Sequence, residues 1–167
     1  MMRNLPVYFV LFFISSLAAA QSPAERIEEL GIELPEVKQP VANLLKWRQV
    51  GNLLFLSGEG STQKGTLGKD LNIEEGYEAA RETGIKILAT LKAATGDLSR
   101  IKQFVKVHGM VNSTSDFYEQ PGVINGFSDL MVEVFGEKGK HARAAVGHNT
   151  LPFNIAVEIE VIVELEE

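Results

Sequence analysis

The 167-residue chain contains no cysteine. This absence excludes disulfide bonds, thiolate nucleophiles and thiolate metal sites together. It also excludes attachment of a lipid through an N-terminal cysteine. The folded chain must therefore obtain its stability from a hydrophobic core or from oligomerisation.

Positive charge is scarce and scattered. Lysine and arginine number 16 against 22 acidic residues, for a net charge of −6, and no polybasic run occurs. Because non-specific nucleic-acid binding needs many phosphate contacts, we expect no nucleic-acid partner. The three histidines, His108, His141 and His148, lack the spacing of metal ligands. We expect structural or surface roles for them, with no metal and no cofactor.

Long apolar runs are also missing, apart from residues 5–17. This run follows Arg3 and precedes Ala18-Ala19-Ala20, an arrangement typical of a secretory signal peptide. It is shorter than the roughly 20 residues that span a bilayer. We expect cleavage after Ala20 and an exported chain, periplasmic or secreted, that is not bound to a membrane.

The remaining residues predict a short helix and extended arm at 21–44 and one domain at 45–167. Asn72 and Glu75 form a capping-box pattern that begins a long helix, which Gly96 ends. The other predicted elements are a helix capped by Ser22, a hairpin turn at Gly51-Asn52 between strands 46–50 and 53–57, a strand at 101–112, a turn-rich link at 116–122, a helix at 123–135 and two final strands.

This order, β-β-α-β-α-β-β, predicts an α+β fold with a mixed sheet and two helices packed on one face. In the strand 101–112 we place Val105, Val107 and Val111 on one face. In the final strand, the residues from Ile155 to Leu165 alternate between aliphatic and acidic, with Ile162 as the exception. We expect Phe55, Phe104 and Ile162 on the outer sheet face, covered by further copies of the chain.

Arg143 lies between Ala142 and Ala144, ahead of that alternating strand. A lone guanidinium beside small residues, with a carboxylate near a strand end, favours a site for a small acidic ligand. Two alternatives remain from the residues alone. Arg143 could be paired with an acidic neighbour for stability, and Glu158 could be a solvated position of an edge strand.

Three sequence blocks occur together: GNLLFLSGEG at 51–60, the helix VINGFSDLMVEVFG, and HARAAVG followed by Leu151-Pro152 and VEIE. In combination they resemble the YjgF/RidA family, also called endoribonuclease L-PSP-like, over residues 27–165. The segments GIELP, DFYEQP and GEKGKHARAAVG resemble a less characterised branch of it. The resemblance implies a chorismate-mutase-like fold and a homotrimer with clefts between subunits.

The resemblance also implies roles for particular residues. The family's best-defined members hydrolyse small 2-imino acids to 2-oxo acids and ammonia. Arg143 aligns with the arginine that pairs bidentately with the substrate carboxylate, and Glu158 with the glutamate that positions water. Asn125 aligns with a cleft asparagine, and Ser57 and Gly58 with a loop that offers backbone groups to the ligand.

Two positions depart from the family pattern. Ala145 stands where deaminating members usually carry cysteine, and Leu44, with Trp47 nearby, stands where a tyrosine often closes the cleft.

The first hypothesis is therefore an imine hydrolase, and the second is a trimer that binds small carboxylates without turning them over. Ribonuclease activity has little support, because the chain is acidic and offers no histidine pair for acid-base cleavage.

Overall fold

The computed structural model describes residues 21–38, 40 and 43–167; the predicted signal peptide at 1–20 lies outside this part. The helices are α1 (Pro23–Glu29), α2 (Ile73–Thr95) and α3 (Gln120–Phe135). The strands are β1 (Trp47–Val50), β2 (Leu53–Leu56), β3 (Glu59–Gly60), β4 (Ile101–Asn112), β5 (Ala142–His148) and β6 (Val157–Leu165). The predicted order is confirmed, with β3 as an additional short strand. None of the helices in the described ranges combines the length and hydropathy of a membrane crossing.

All the strands join one mixed sheet in the order β1-β2-β6-β4-β5, with β3 also beside β6. The pair β4–β5 is parallel and the other pairs are antiparallel. Helices α2 and α3 pack together and contribute buried residues to the same core as the sheet. The predicted α+β class is thus confirmed. The interpretation of Glu158 as an edge-strand residue is wrong, because β6 lies in the interior of the sheet, and β1 and β5 form its edges.

The helix ends follow the capping patterns in the sequence. The Asn72 side chain accepts a hydrogen bond from the Glu75 amide at 2.9 Å, and the Glu75 carboxylate accepts one from the Asn72 amide at 2.8 Å. Gly96 caps the other end of α2. In contrast, α3 begins at Gln120 rather than at the predicted 123, because Pro121 suits a first helical turn, where its missing amide donor is not needed.

The core lies between the helices and the inner face of the sheet. The buried face of α3 includes Val123, Phe127, Leu130, Met131 and Val134, and the inward residues of β6 from Val157 to Leu165 are buried as expected. The predicted face of β4 is partly wrong. A register shift between Phe104 and Lys106 reverses the alternation there, so Val105 is exposed while Phe104 packs in the core against Phe135, with ring centroids 5.1 Å apart.

Helices α2 and α3 approach closely at Gly126. A Cβ atom added there would lie 2.9 Å from the Tyr77 carbonyl carbon and would overlap the carbonyl oxygen. Glycine at this position therefore permits backbone-to-backbone packing of the two helices. The contact fixes the height of α3 above the sheet, and with it the positions of the side chains that α3 carries.

The outer sheet face is partly apolar, as predicted. Phe55 on β2 pairs in register with Ile162 on β6, and Phe55 is 38% exposed. Val146 on β5 is 37% exposed. Large exposed apolar side chains on one sheet face are typical of a surface that another chain covers. The homotrimer stays a prediction.

Candidate active site

Arg143 lies on the edge strand β5 and extends towards helix α3. Its Nη1 donates to Asn125 Oδ1 at 2.9 Å and to Ser128 Oγ at 3.0 Å. Its Nη2 makes a longer contact, 3.5 Å, to the carbonyl oxygen of Pro121. The structure therefore brings together Arg143 and Asn125, two of the residues that the family resemblance selected.

The acceptors around Arg143 are all neutral. A guanidinium has five N–H donors, and these contacts use both hydrogens of Nη1 and one of Nη2. Among the described residues the Nε–H has no hydrogen-bond partner and Nη2 keeps one hydrogen, so the Nε–Nη2 edge can offer donors to a carboxylate. Within the described residues, Arg143 forms no ion pair. The alternative of a structural pairing with an acidic neighbour therefore has no support among the described residues.

Ser128 and His141 extend this cluster, and the sequence reasoning missed both as site residues. His141 Nε2 lies 3.0 Å from Ser128 Oγ, and its Nδ1 lies 2.7 Å from the carbonyl oxygen of Gly139. Burial lowers the pKa of His141, and the Arg143 charge adds to this effect, against the hydrogen bond to Gly139. The one signal in the sequence is spacing, because Ser128 follows Asn125 by three residues and so shares its helix face.

Glu158 and Gly58 form a second group, on the outer face of the sheet. Glu158 pairs with Gly60 on β3 and with Met110 on β4. A Cβ atom added at Gly58 would overlap the Glu158 carboxylate, so glycine lets the carboxylate lie against the loop backbone. Burial raises the pKa of Glu158, and the charges of Glu160 and Glu59 raise it further, whereas His148 lowers it.

Ser57 is bound to the segment that leads into β1. Its hydroxyl donates to the Leu45 carbonyl oxygen at 2.6 Å, and its amide donates to the Lys46 carbonyl oxygen at 3.0 Å. Both of its donors are therefore engaged within the chain. Ser57 also lines a surface cleft of about 600 Å³, together with Leu44 and Trp47, the residues at and near the family's tyrosine position.

The two groups lie on opposite faces of one sheet. Arg143 pairs with Val107, whose side chain is buried on the helix-facing side, whereas Glu158 alternates with the buried residues of β6 and faces outward. A single chain therefore does not bring the Arg143 guanidinium and the Glu158 carboxylate together. A cleft that uses both residues has to combine different faces of two copies. No cluster of metal-binding side chains occurs among residues 21–38, 40 and 43–167.

Comparisons with known proteins give consistent matches. The family model described as "YjgF/chorismate_mutase-like, putative endoribonuclease" matches residues 24–165. Protein TCP17 of Trypanosoma cruzi is 41% identical over 157 residues, which cover 90% of this chain and 98% of that protein. A 2-iminobutanoate/2-iminopropanoate deaminase of Dermatophagoides farinae is 29% identical over 140 residues, covering 81% of this chain and 95% of the relative. The crystal structure of Atu1372 from Agrobacterium tumefaciens, a protein of unknown function, matches with a TM-score of 0.79 and 42% identity, covering 86% and 94% of the two chains.

Proposed function

The chain belongs to the YjgF/RidA family and has its chorismate-mutase-like fold, and we propose that it binds small 2-imino and 2-oxo acids through Arg143 and hydrolyses the imino acids. In this reaction water adds to the carbon of the C=N bond, the nitrogen takes up protons, and the C–N bond breaks. The products are a 2-oxo acid and ammonia. The deaminase relative from Dermatophagoides farinae supports this reaction class at 29% identity.

The observation that carries the proposal is the environment of Arg143. Its guanidinium is held at Nη1 by Asn125 and Ser128, which carry no charge, and its Nε–Nη2 edge makes only the 3.5 Å contact to the Pro121 carbonyl oxygen among the described residues. The positive charge is therefore ordered but not neutralised within the described chain. A small carboxylate supplies the missing charge and matches the geometry of that edge.

Glu158 would act on the water. Its raised pKa makes the carboxylate a stronger base, suited to accept a proton from water as the water attacks the imine carbon. An iminium carbon is already electrophilic, so orientation of the reactants supplies a large part of the required acceleration. The reaction therefore does not depend on a thiol at position 145.

We also propose the homotrimer, because it would place the outward Glu158 of one copy near the Arg143 side of the next. The exposed Phe55 and the half-buried Ile162 on the outer face would be covered in the same step. Export to the periplasm or the medium is part of the proposal and rests on the signal-like residues 1–20. Light scattering of the mature protein tests the assembly, and a stable monomer would contradict it.

The test of the activity uses 2-iminopropanoate generated in solution by an amino-acid oxidase. Decay of the imine is followed with and without the purified mature protein. We expect acceleration by the parent and a loss of about 100-fold or more in kcat/KM for Arg143→Ala, because two hydrogen bonds to a charged group are lost. Arg143→Lys should retain only part of the activity, since lysine keeps the charge but not the planar fork.

Arg26→Ala is the matched control. Arg26 forms an exposed ion pair with Glu29 at 2.9 Å on α1, so its removal should leave the rate unchanged. Equal rates for the parent, Arg143→Ala and the reaction without protein would rule out the hydrolase.

The second candidate function is carboxylate binding without turnover. Two observations favour it: Ala145 replaces the usual cysteine, and both donors of Ser57 are engaged by the carbonyl oxygens of Leu45 and Lys46 rather than directed at a ligand. Calorimetric titration with pyruvate separates the candidates. Binding that requires Arg143, without acceleration of imine decay, would support the binder.

A further inference from the structure

The hydrogen bonds behind Arg143 form a directed chain. A carbonyl oxygen only accepts, so the 2.7 Å contact to Gly139 places a hydrogen on His141 Nδ1. In the neutral ring, Nε2 is then an acceptor, and the Ser128 hydroxyl donates to it at 3.0 Å. The lone pairs of the same hydroxyl accept from Arg143 Nη1 at 3.0 Å. Each group in the chain thus has one consistent role.

The imidazole of His141 is held by its surroundings. Phe127 presents its ring at 5.8 Å between centroids in an edge arrangement, and the Phe104 ring centroid lies 6.4 Å away. The Gly139 backbone packs closely against α3, because a Cβ at Gly139 would overlap the backbone oxygen of Met131. The Gly139 carbonyl, the last acceptor in this series of hydrogen bonds, therefore lies against the same helix that carries Ser128.

This chain of hydrogen bonds holds one side of the Arg143 guanidinium. Asn125 and Ser128 occupy both hydrogens of Nη1, so the planar group cannot rotate without losing both hydrogen bonds. Its opposite edge is thereby held in a single orientation. Without the His141 acceptor, the Ser128 hydroxyl could turn its hydrogen towards Nη1 and stop accepting from it.

We propose that Ser128 and His141 are positioning residues that orient Arg143 for a ligand carboxylate. This inference rests on the proposed carboxylate binding by Arg143. Neither residue needs to contact the ligand. Their effect on affinity passes through the order of the guanidinium, because a preorganised donor pair loses less conformational freedom on binding.

The test compares matched pairs of variants by calorimetric titration with pyruvate. Ser128→Ala should weaken binding about tenfold, the effect of losing one hydrogen bond to a charged group. Ser128→Thr keeps the hydroxyl and should stay within about threefold of the parent. His141→Phe keeps a ring but removes the acceptor and should also weaken binding, whereas His141→Gln retains an acceptor and should recover part of the loss.

Two further measurements separate positioning from a merely structural role. The double variant Ser128→Ala/His141→Phe should bind pyruvate no more weakly than the worse single variant, because both substitutions interrupt the same chain of hydrogen bonds. The thermal midpoint of Ser128→Ala should stay close to that of the parent. Additive losses, or loss of binding that follows loss of stability, would overturn the inference.

A readout without ligand keeps this inference distinct from the proposed function. The Arg143 Nε–H signal in ¹H–¹⁵N NMR should report an ordered side chain in the parent and a mobile one in Ser128→Ala. Equal order in both proteins would refute the positioning role, whether or not pyruvate binds. If order changes but pyruvate does not bind even to the parent, the positioning role is supported and the proposed function fails.

Discussion

The contact between α2 and α3 at Gly126 allows a prediction that links packing to the site. In Gly126→Ala, the new methyl would lie 2.9 Å from the Tyr77 carbonyl carbon, whereas carbon atoms in contact are normally about 3.5–4.0 Å apart. The helices must therefore separate by roughly 1 Å. Because the methyl would also overlap the Tyr77 carbonyl oxygen, the overpacking cost lies near the upper end of about 1–3 kcal/mol, and alanine returns up to about 1 kcal/mol of helix propensity. We expect a net loss near 2 kcal/mol.

For a chain of this size, that loss lowers the thermal midpoint by about 4–8 °C. Gly122→Ala is the control on the same helix, because its methyl would meet Ile73 at 3.6 Å, an ordinary contact. It should be neutral or slightly stabilising. The measurement is thermal unfolding of both variants at one protein concentration, since oligomerisation shifts the midpoint.

The same displacement should reach the site. Asn125 and Ser128 flank Gly126 on α3 and hold Arg143 Nη1 at 2.9 and 3.0 Å. A shift of about 1 Å in the helix breaks hydrogen bonds of this length. Gly126→Ala should therefore also weaken pyruvate binding, and Gly122→Ala should not. If Gly126→Ala unfolds at or above the midpoint of Gly122→Ala, the close approach of the two helices is refuted.

Three further predictions concern charge, assembly and helix capping. The raised pKa of Glu158 means that the folded chain keeps this proton to a higher pH than the unfolded chain, so stability is lost as the pH rises above the ordinary pKa of glutamate. Glu158→Gln should therefore be more stable than the parent in denaturant at pH 7 but not at pH 4. Equal stability differences at the two pH values would contradict the burial argument. Phe55→Arg places a charge on the exposed outer face and should shift the proposed trimer towards monomer in light scattering, with Arg26→Ala as the unaffected control. Asn72→Ala removes the side-chain cap of α2 and should cost about 1 kcal/mol in denaturant unfolding, and an unchanged midpoint would show that the cap does not stabilise the helix.

Local patterns predicted the helices and the central strand well because they depend on neighbouring residues. The capping box of Asn72 and Glu75, and the alternation in β6, need no tertiary information. The face of Val105 was wrong because a bulge depends on how β4 pairs with β6, which the sequence of β4 alone does not determine. The pattern predicts the start of α3 too late, because Pro121 suits a turn as well as a first helical turn.

The candidate site also combines features that the sequence indicates with features that depend on tertiary structure. The resemblance indicated Arg143 and Asn125, and the structure places them in contact. It did not indicate Ser128 and His141, since their meeting depends on β5 joining β4 in parallel and passing beneath α3. The roles of Ser57, Gly58 and Glu158 stay predictions. The structure adds that Glu158 faces away from Arg143 and that the donors of Ser57 are already used.

The two faces of the chain carry unbalanced charges of opposite sign. Arg143 is held by neutral acceptors on the helix side, and partial burial disfavours the ionised form of Glu158 on the outer side. In the proposed trimer, both charges meet in one cleft, where an anionic ligand pairs with Arg143 and water or a protonated imine nitrogen faces Glu158. Each charge then gains a partner beyond the contacts that the described residues of one chain supply. Ligand binding and assembly should therefore be thermodynamically linked, because a ligand that contacts two copies stabilises the form that brings them together. Light scattering of a dilution series with and without pyruvate measures this linkage, and trimer dissociation at the same protein concentration in both series would show that the ligand does not bridge the copies.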